Sequence, residues 1–109
     1  MNNISKIAIV GLGQVGNYLY HELQSKKKEI EIKTGQKIEV VAISAKSINK
    51  KRQFKIDKKI FYPNPLKIFE EKKIDILFEC IGLSDGISKK VVEIALKNKV
   101  NVITPNKAL

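Results

Sequence analysis

Blocks of apolar residues alternate along the chain with longer polar or amphipathic stretches. The blocks are short, rich in β-branched residues and nearly continuous, which is typical of strands inside a parallel sheet. Strands are therefore predicted over residues 4–10, 38–45, 74–81 and 100–104. A further short edge strand is predicted at residues 60–62.

Between these blocks, apolar residues recur at helical spacing. Helices are predicted over residues 14–29, 65–72 and 86–98. In the first helix, the sheet-facing stripe should consist of Val15, Leu19 and Leu23, which repeat every four positions, with Tyr18 beside them. In the last helix, the inner face should consist of Ile87, Val91, Ile94 and Ala95, and Ser84 or Asp85 should cap the N-terminus.

The remaining stretches are polar. Residues 29–37 are predicted to form a connecting loop, and residues 46–59 an irregular basic segment with at most a helical turn near residues 48–53. Pro65 suits the first position of the short second helix. Strands that alternate with helices in this way pair in parallel through right-handed crossovers. The chain is therefore predicted to be a single α/β domain with a doubly wound parallel sheet.

The first strand enters a turn with glycine at its first, third and sixth positions. Gly11 permits a tight turn, Gly13 lets a pyrophosphate approach the backbone, and Gly16 lets the following helix pack against the strand. The helix N-terminus then offers free N–H groups and a positive dipole to the phosphates. The predicted cofactor-binding residues here are Gly11, Leu12, Gly13, Gln14, Val15 and Gly16. The alternative is a glycine-rich turn without a ligand.

The end of the second strand bears on the choice of cofactor. A site for NAD usually has Asp or Glu there, which binds the ribose 2′-hydroxyl. This chain instead has Ser44-Ala45-Lys46-Ser47, followed by further basic residues. Because lysine and serine can bind a 2′-phosphate, Lys46 favours NADP over NAD. The alternative is that Lys46 is a solvated loop residue.

The net charge of +10 comes almost wholly from lysine. The lysines are spread over every predicted loop and helix, without the arginine and aromatic residues of a nucleic-acid groove, so no nucleic-acid partner is expected. No apolar run approaches the roughly 20 residues of a membrane span, so no membrane partner is expected. The cytoplasm is the expected location by default. Cys80, the one cysteine, should be a buried thiol, and no metal site is predicted. His21 is expected on the surface.

Polar residues also lie near the other strand ends. Asp75 should begin the third strand, and Glu79 should lie near the ligand edge and help to position the turn that follows. Lys107 follows the last strand beside Asn106 and could hold a phosphate, a carboxylate or a substrate oxygen. The alternative for Lys107 is an ordinary surface lysine.

Four segments together resemble the cofactor-binding domain of homoserine dehydrogenase, over nearly the whole chain. They are Gly-Leu-Gly-Gln-Val-Gly at residues 11–16, Val-Ala-Ile-Ser-Ala-Lys at 41–46 with the basic residues after it, Ile-Asp-Ile-Leu-Phe-Glu-Cys-Ile-Gly at 74–82, and a segment that starts with Ala-Leu at 95–96 and ends with Val-Ile-Thr-Pro-Asn-Lys-Ala-Leu at 102–109. The last is the most specific. Leu83 stands where the family has a second glycine, and Pro105 where it usually has alanine.

The resemblance implies a Rossmann-type domain of an NAD(P)-dependent oxidoreductase. That enzyme converts L-aspartate 4-semialdehyde to L-homoserine on the route to threonine and methionine. Gly82, Leu83 and Ser84 would then run along the cofactor, and Lys107 would be a catalytic residue near the nicotinamide and the reacting oxygen.

In the family, a substrate-binding and dimerising domain follows the last segment. These residues alone are therefore expected to bind cofactor without turnover, to take the amino-acid substrate only with that domain, and to self-associate through an exposed sheet edge. The alternative function is a stand-alone NAD(P)-binding regulatory module without redox activity.

Overall fold

Four strands and three helices build the domain in a computed structural model that describes residues 4–81 and 86–104. The strands are β1 (Ile4–Val10), β2 (Lys37–Ser44), β3 (Ile76–Glu79) and β4 (Asn101–Ile103). The helices are α1 (Gln14–Thr34), α2 (Ile68–Glu71) and α3 (Gly86–Lys97). The strands form one sheet in the order β2-β1-β3-β4, with parallel pairing throughout.

The sheet is covered by helices on both faces. Ile7 and Ile9 of β1 belong to the hydrophobic cluster that includes Tyr20 of α1. Ala8 and Val10, which point the opposite way, belong to the cluster that includes Ile68 of α2 and Val91 of α3. The alternation along one strand therefore supplies two cores, and the prediction of a doubly wound α/β fold is confirmed.

The pairing of β1 with β2 contains one irregularity. Ile7 pairs with Val40 but Ala8 pairs with Ala42, so Val41 is an extra residue on β2. The consecutive residues Val41 and Ala42 both belong to the cluster on the side of α3. The extra residue thus reverses the in-and-out alternation of β2 halfway along the strand.

Helix α1 is longer than predicted, and the predicted loop at residues 29–37 is wrong. The helix continues to Thr34 and ends at Gly35, which has a φ of 74° and donates its N–H to the carbonyl of Glu31. The polar segment before it stays helical because no proline or glycine interrupts it, and Lys33 pairs with Glu29 one turn away. Glycine in the left-handed conformation is what stops the helix.

The predicted inner face of α1 is also partly wrong. Val15 is 41% exposed and Tyr18 55% exposed, whereas the buried residues of the helix are Gly16, Asn17 and Tyr20. Leu19 and Leu23 pack against the core at its margin, as predicted. The close approach of Gly16 to the residues at the end of β1 sets the rotation of the helix about its axis. The predicted apolar stripe therefore faces the core only at Leu19 and Leu23.

The segment between β2 and β3 is mostly irregular, as predicted, but the helical turn near residues 48–53 is reduced to a simple turn. The predicted edge strand is a single bridge between Phe61 and Ile43. Pro65 begins a 3₁₀ turn, Pro65–Lys67, whose N-cap Asn64 accepts a hydrogen bond from the N–H of Leu66, and α2 follows directly. The position of Pro65 is confirmed, but α2 is shorter than predicted.

The last elements agree more closely with the prediction. Helix α3 buries Val91 and Ala95 completely, and Ile87 packs against the same core. Strands β3 and β4 are each shorter than predicted, although Asp75 and Cys80 continue the hydrogen bonding to β1 at the two ends of β3. The predicted caps Ser84 and Asp85 lie outside the described residues.

Candidate dinucleotide site

A cavity of about 340 Å³ opens at the carboxyl edge of the sheet, where ligands bind in folds of this type. Residues 11–16, which join β1 to the first turn of α1, are called here the glycine turn, and Gly11, Leu12 and Gly13 of it form one wall of the cavity. Another wall comes from Ser44 at the end of β2, from residues 45–47 after it, and from Pro63 and Pro65. Cys80 and Ile81, after β3, complete the lining between them. The turn after β1, the end of β2 and the end of β3 therefore meet at one cavity.

Short hydrogen bonds hold the glycine turn against the neighbouring strand ends. The N–H of Gly11 donates to the carbonyl of Ser44 at 2.8 Å, and the N–H of Cys80 donates to the carbonyl of Val10 at 2.7 Å. Leu12 is buried at 3% exposure and anchors the turn in the core on the side of α1. The turn is thus fixed from both sides before any ligand binds.

The three glycines of the turn have different surroundings. Gly11 has a φ of 97°, and a Cβ there would lie 2.8 Å from backbone atoms of Cys80 and Ile81. A Cβ on Gly16 would overlap the carbonyl oxygen of Gly11. At Gly13, by contrast, an added Cβ would meet no heavy atom of the described residues within 4 Å. Gly11 and Gly16 are therefore required by the fold, and Gly13 leaves free space above the turn.

That free space lies at the N-terminus of α1. Gly13 is the N-cap residue, and among the described residues no side chain caps this end of the helix or places an acidic group in its first turn. The first N–H groups of a helix have no partner within it and carry a partial positive charge. Gln14 and Val15 are exposed and bring backbone N–H groups to this end. The open cradle and these N–H groups, which have no partner within the helix, fit a pyrophosphate.

Basic residues follow β2 directly and line the same cavity. Lys46, Ser47 and Lys50 all contribute to it, and none of its described lining residues is Asp or Glu. Lys46 is exposed, so its ammonium group is free to reach an anion in the cavity. The structure thus places Lys46 in the same cavity as Gly11, Leu12 and Gly13.

Arg52 contributes to this site in a way that the sequence did not reveal. Its guanidinium group donates hydrogen bonds to the carbonyls of Leu12, Ser47, Ile48 and Lys50, at distances from 2.6 to 3.3 Å. The sequence showed only a basic cluster, and no pattern marked which side chain would contact the backbone.

A second side chain that the sequence did not reveal, that of Asn17, joins helix α1 to the irregular segment after β2. The buried amide of Asn17 is hydrogen-bonded to both the carbonyl and the N–H of Phe54. The ring of Phe54 stacks on His21, with the ring centres 3.8 Å apart. His21, expected on the surface, is therefore half-buried under an aromatic ring.

Cys80 and Glu79 lie under the cavity at the end of β3. Burial raises the pKa of the Cys80 thiol to about 12, and the neighbouring Glu79 carboxylate adds to the effect. Cys80 is thus the buried, protonated thiol that was predicted. Glu79 is 1% exposed and its Oε2 accepts a hydrogen bond of 2.8 Å from the N–H of Ile81, which supports the predicted role in positioning the next turn. Asp75 accepts a hydrogen bond from the N–H of Lys6 at the other end of the strand.

Other predicted site residues lie outside the part of the chain that is described. They are Gly82, Leu83, Ser84 and Lys107. Within the described ranges, no group of His, Cys, Asp and Glu side chains is arranged to hold a metal ion. No helix in those ranges has the length and apolar character needed to cross a membrane.

The family model for the NAD-binding domain of homoserine dehydrogenase matches residues 11–109. A homoserine dehydrogenase of Neisseria gonorrhoeae is 31% identical over 103 residues, which cover 94% of this chain and 23% of that protein. A crystal structure of the S. aureus homoserine dehydrogenase superposes with a TM-score of 0.85 at 28% identity, covering 97% of this chain and 27% of that one. The enzyme from Thiobacillus denitrificans gives a TM-score of 0.76 at 25% identity over 94% of this chain and 23% of its own. The chain therefore spans about a quarter of the length of these relatives.

Proposed function

Because the chain belongs to the homoserine dehydrogenase family, as its NAD-binding domain, we propose that it binds NADP for the reduction of L-aspartate 4-semialdehyde to L-homoserine. The observation that carries the proposal is the composition of one cavity. Its walls combine an open glycine turn at a helix N-terminus with Lys46, Ser47 and Lys50, and its described lining contains no carboxylate.

The pyrophosphate would lie over Gly13, in contact with backbone N–H groups of Gly13, Gln14 and Val15. Free space over Gly13 and the absence of a cap among the described residues support this placement. Gly11 and Gly16 contribute by keeping the turn tight. Leu12 contributes by anchoring it.

The ribose of the adenosine half would lie toward the end of β2. There Lys46 would bind the 2′-phosphate, with Ser47 beside it. A carboxylate at this position would repel that phosphate, and the described lining has none. A charge-assisted hydrogen bond of this kind contributes about 1.5–3 kcal/mol, enough to separate NADPH from NADH by 10-fold or more.

The reaction itself rests on residues that the family resemblance assigns. The bound nicotinamide would supply a hydride to the aldehyde carbon, and a proton added to the oxygen completes the alcohol. Lys107 would lie near that oxygen and stabilise its developing negative charge, and Gly82, Leu83 and Ser84 would line the path of the cofactor. The same resemblance implies that these residues on their own would bind cofactor without turnover, because in the family the remaining substrate-binding residues lie in a further domain. We expect it to act in the cytoplasm.

Calorimetric titration of the chain with NADPH and with NADH tests the proposal. We expect tighter binding of NADPH, and a loss of about 10-fold in NADPH affinity in Lys46→Ala with NADH affinity unchanged. Lys97→Ala is the matched control, because it removes the same charge from the last turn of α3. It should alter neither affinity.

Three results would each contradict a part of the proposal. Equal affinities for NADPH and NADH would refute the 2′-phosphate contact, and so would equal effects of the two lysine substitutions. If the chain and its complex with the remaining family domain both bind cofactor but the complex shows no turnover of the aldehyde, the regulatory alternative is favoured instead.

A further inference from the structure

Arg52 is the one arginine of a chain with twenty lysines, and it lies between two parts of the cavity wall. Its Nε donates to the carbonyl of Leu12, inside the glycine turn, at 3.2 Å. Its Nη1 donates to the carbonyls of Ile48 and Lys50, and its Nη2 donates to the carbonyl of Ser47 at 2.6 Å. A single side chain therefore connects the glycine turn to residues 46–52, called here the basic loop.

These contacts need arginine in particular. A guanidinium group has five N–H donors in a rigid plane, and four of them are directed at backbone carbonyls here. An ammonium group carries its donors on one nitrogen at the end of a flexible chain and cannot span acceptors in two segments. Because its donors are directed at the protein, Arg52 acts on the cavity through the loop that it holds.

The basic loop has no regular secondary structure, so no helix or strand hydrogen bonding fixes its backbone. Besides the contacts of Arg52, the Asn49 N–H donates to Ser47 Oγ at 3.3 Å. If the loop became ordered only when the cofactor bound, the free energy cost of ordering it would weaken the affinity. Arg52 removes this cost for the basic loop, because its contacts already order the loop in the free protein. Asn17 holds Phe54, which lies just beyond the loop. Lys46, Ser47 and Lys50 are then already arranged around the cavity.

We propose that Arg52 is a positioning residue that holds the basic loop in its binding conformation before the cofactor arrives, and thereby strengthens selection of the 2′-phosphorylated dinucleotide. The second half of this inference rests on the proposed function. The first half concerns the free protein alone, so the two are tested by different measurements.

The principal variant is Arg52→Lys, which keeps the charge and removes the planar group. In the free protein, amide hydrogen exchange of residues 47–53 should become about 10-fold faster or more, because opening of the loop no longer breaks the four contacts. In titrations, NADPH affinity should fall by about 10-fold and NADH affinity by clearly less. The dependence of NADPH affinity on ionic strength should stay as in the wild type, because the groups that meet the phosphate remain.

Arg52→Ala and Lys55→Ala complete the set. Both remove one positive charge from the segment, but Lys55 is exposed and does not line the cavity. Arg52→Ala should reproduce the effects of Arg52→Lys. Lys55→Ala should leave loop exchange and both affinities within about 2-fold of the wild type.

The outcomes separate the alternatives. Wild-type loop exchange in Arg52→Lys would overturn the positioning role. Full NADPH affinity in Arg52→Lys, combined with a weaker ionic-strength dependence in Arg52→Ala, would mean that Arg52 contacts the phosphate directly and would also overturn it. If the wild type binds both cofactors equally or binds neither, the proposed function and the selectivity half fail together. Loop exchange then still decides whether Arg52 holds the loop.

Discussion

The side-chain amide of Asn17 and the backbone of Phe54 are hydrogen-bonded in both directions. Asn17 Nδ2 donates to the Phe54 carbonyl at 2.9 Å, and the Phe54 N–H donates to Asn17 Oδ1 at 2.8 Å. Asn17 is only 3% exposed, although it lies on a helix next to the glycine turn. Phe54 is not part of a strand, so the amide of Asn17 takes the place of a strand partner for its backbone groups. This contact attaches an irregular segment to α1.

Loss of this pair should destabilise the domain measurably. We expect Asn17→Ala to lower the free energy of unfolding by about 2 kcal/mol, because it leaves the two backbone groups of Phe54 without their partner. Asn98→Ala is the control, since the Asn98 amide donates to the Ile94 carbonyl at an exposed helix end and its loss should cost less than about 0.5 kcal/mol. Urea unfolding of the two variants measures the difference. Equal stabilities would show that the Asn17 pair contributes nothing.

Two glycines of the same turn should respond differently to the same substitution. Gly16→Ala places a Cβ on the carbonyl oxygen of Gly11 and should destabilise the fold by about 3 kcal/mol or more. Gly13→Ala meets no described atom within 4 Å, so it should fold with nearly wild-type stability and lose dinucleotide binding by about 100-fold, because the Cβ takes the space of the pyrophosphate. Thermal unfolding and cofactor titration of both variants provide the test. Undiminished binding by Gly13→Ala would place the pyrophosphate elsewhere.

The Cys80 thiol should make stability fall in alkaline solution. Burial raises its pKa from the usual 9.0 to about 12, so the unfolded chain releases this proton at lower pH than the folded chain does. Its contribution to stability is complete below the unfolded pKa and is lost as the pH rises toward the folded value. Between pH 8 and pH 10 the wild type should lose about 1.4 kcal/mol more than Cys80→Ala. Urea unfolding at both pH values measures this difference, and parallel losses in the two proteins would argue against the buried thiol.

Gly35 should be needed where α1 ends. Its φ of 74° is unfavourable for residues with a Cβ, so Gly35→Ala should cost about 1 kcal/mol although no described atom crowds the position. Gly35→Asn should cost less, because asparagine adopts this conformation more readily than alanine. Thermal unfolding ranks the three proteins. An alanine variant as stable as the wild type would mean that the helix end relaxes to another conformation.

The sequence predicted those parts of the fold that depend on single residue types in fixed places. The glycine turn is one, because Gly11 and Gly16 are positions where a Cβ does not fit. Pro65 at the start of a helical turn is another. The inner face of α1 was predicted less well, because the contact of Gly16 with the strand end turns the helix away from the stripe that begins at Val15. In such cases a tertiary contact outweighs the local periodicity.

For the site, the sequence predicted candidate ligand-binding groups and missed the groups that hold the surrounding backbone in place. Lys46 could be singled out as a candidate because its position after a strand implies the edge of the sheet. Arg52 and Asn17 were not, because their partners are backbone groups of Leu12 and Phe54, which have no signature in the sequence. Contacts of this kind become visible only when the irregular segment is placed in three dimensions.

The extra residue at Val41 constrains how the length of this chain can vary among its relatives. It brings Ser44 level with Val10, and Lys46 follows Ser44 at a fixed interval. Loss of one residue from β2 would draw Lys46 back along the sheet and reverse the side to which the preceding residues point. Insertions and deletions should therefore be found in the irregular segment after Arg52 and be missing from residues 37–46. The number of residues between the start of β2 and Lys46 would then be inherited together with the residues of the site, because both determine where Lys46 lies.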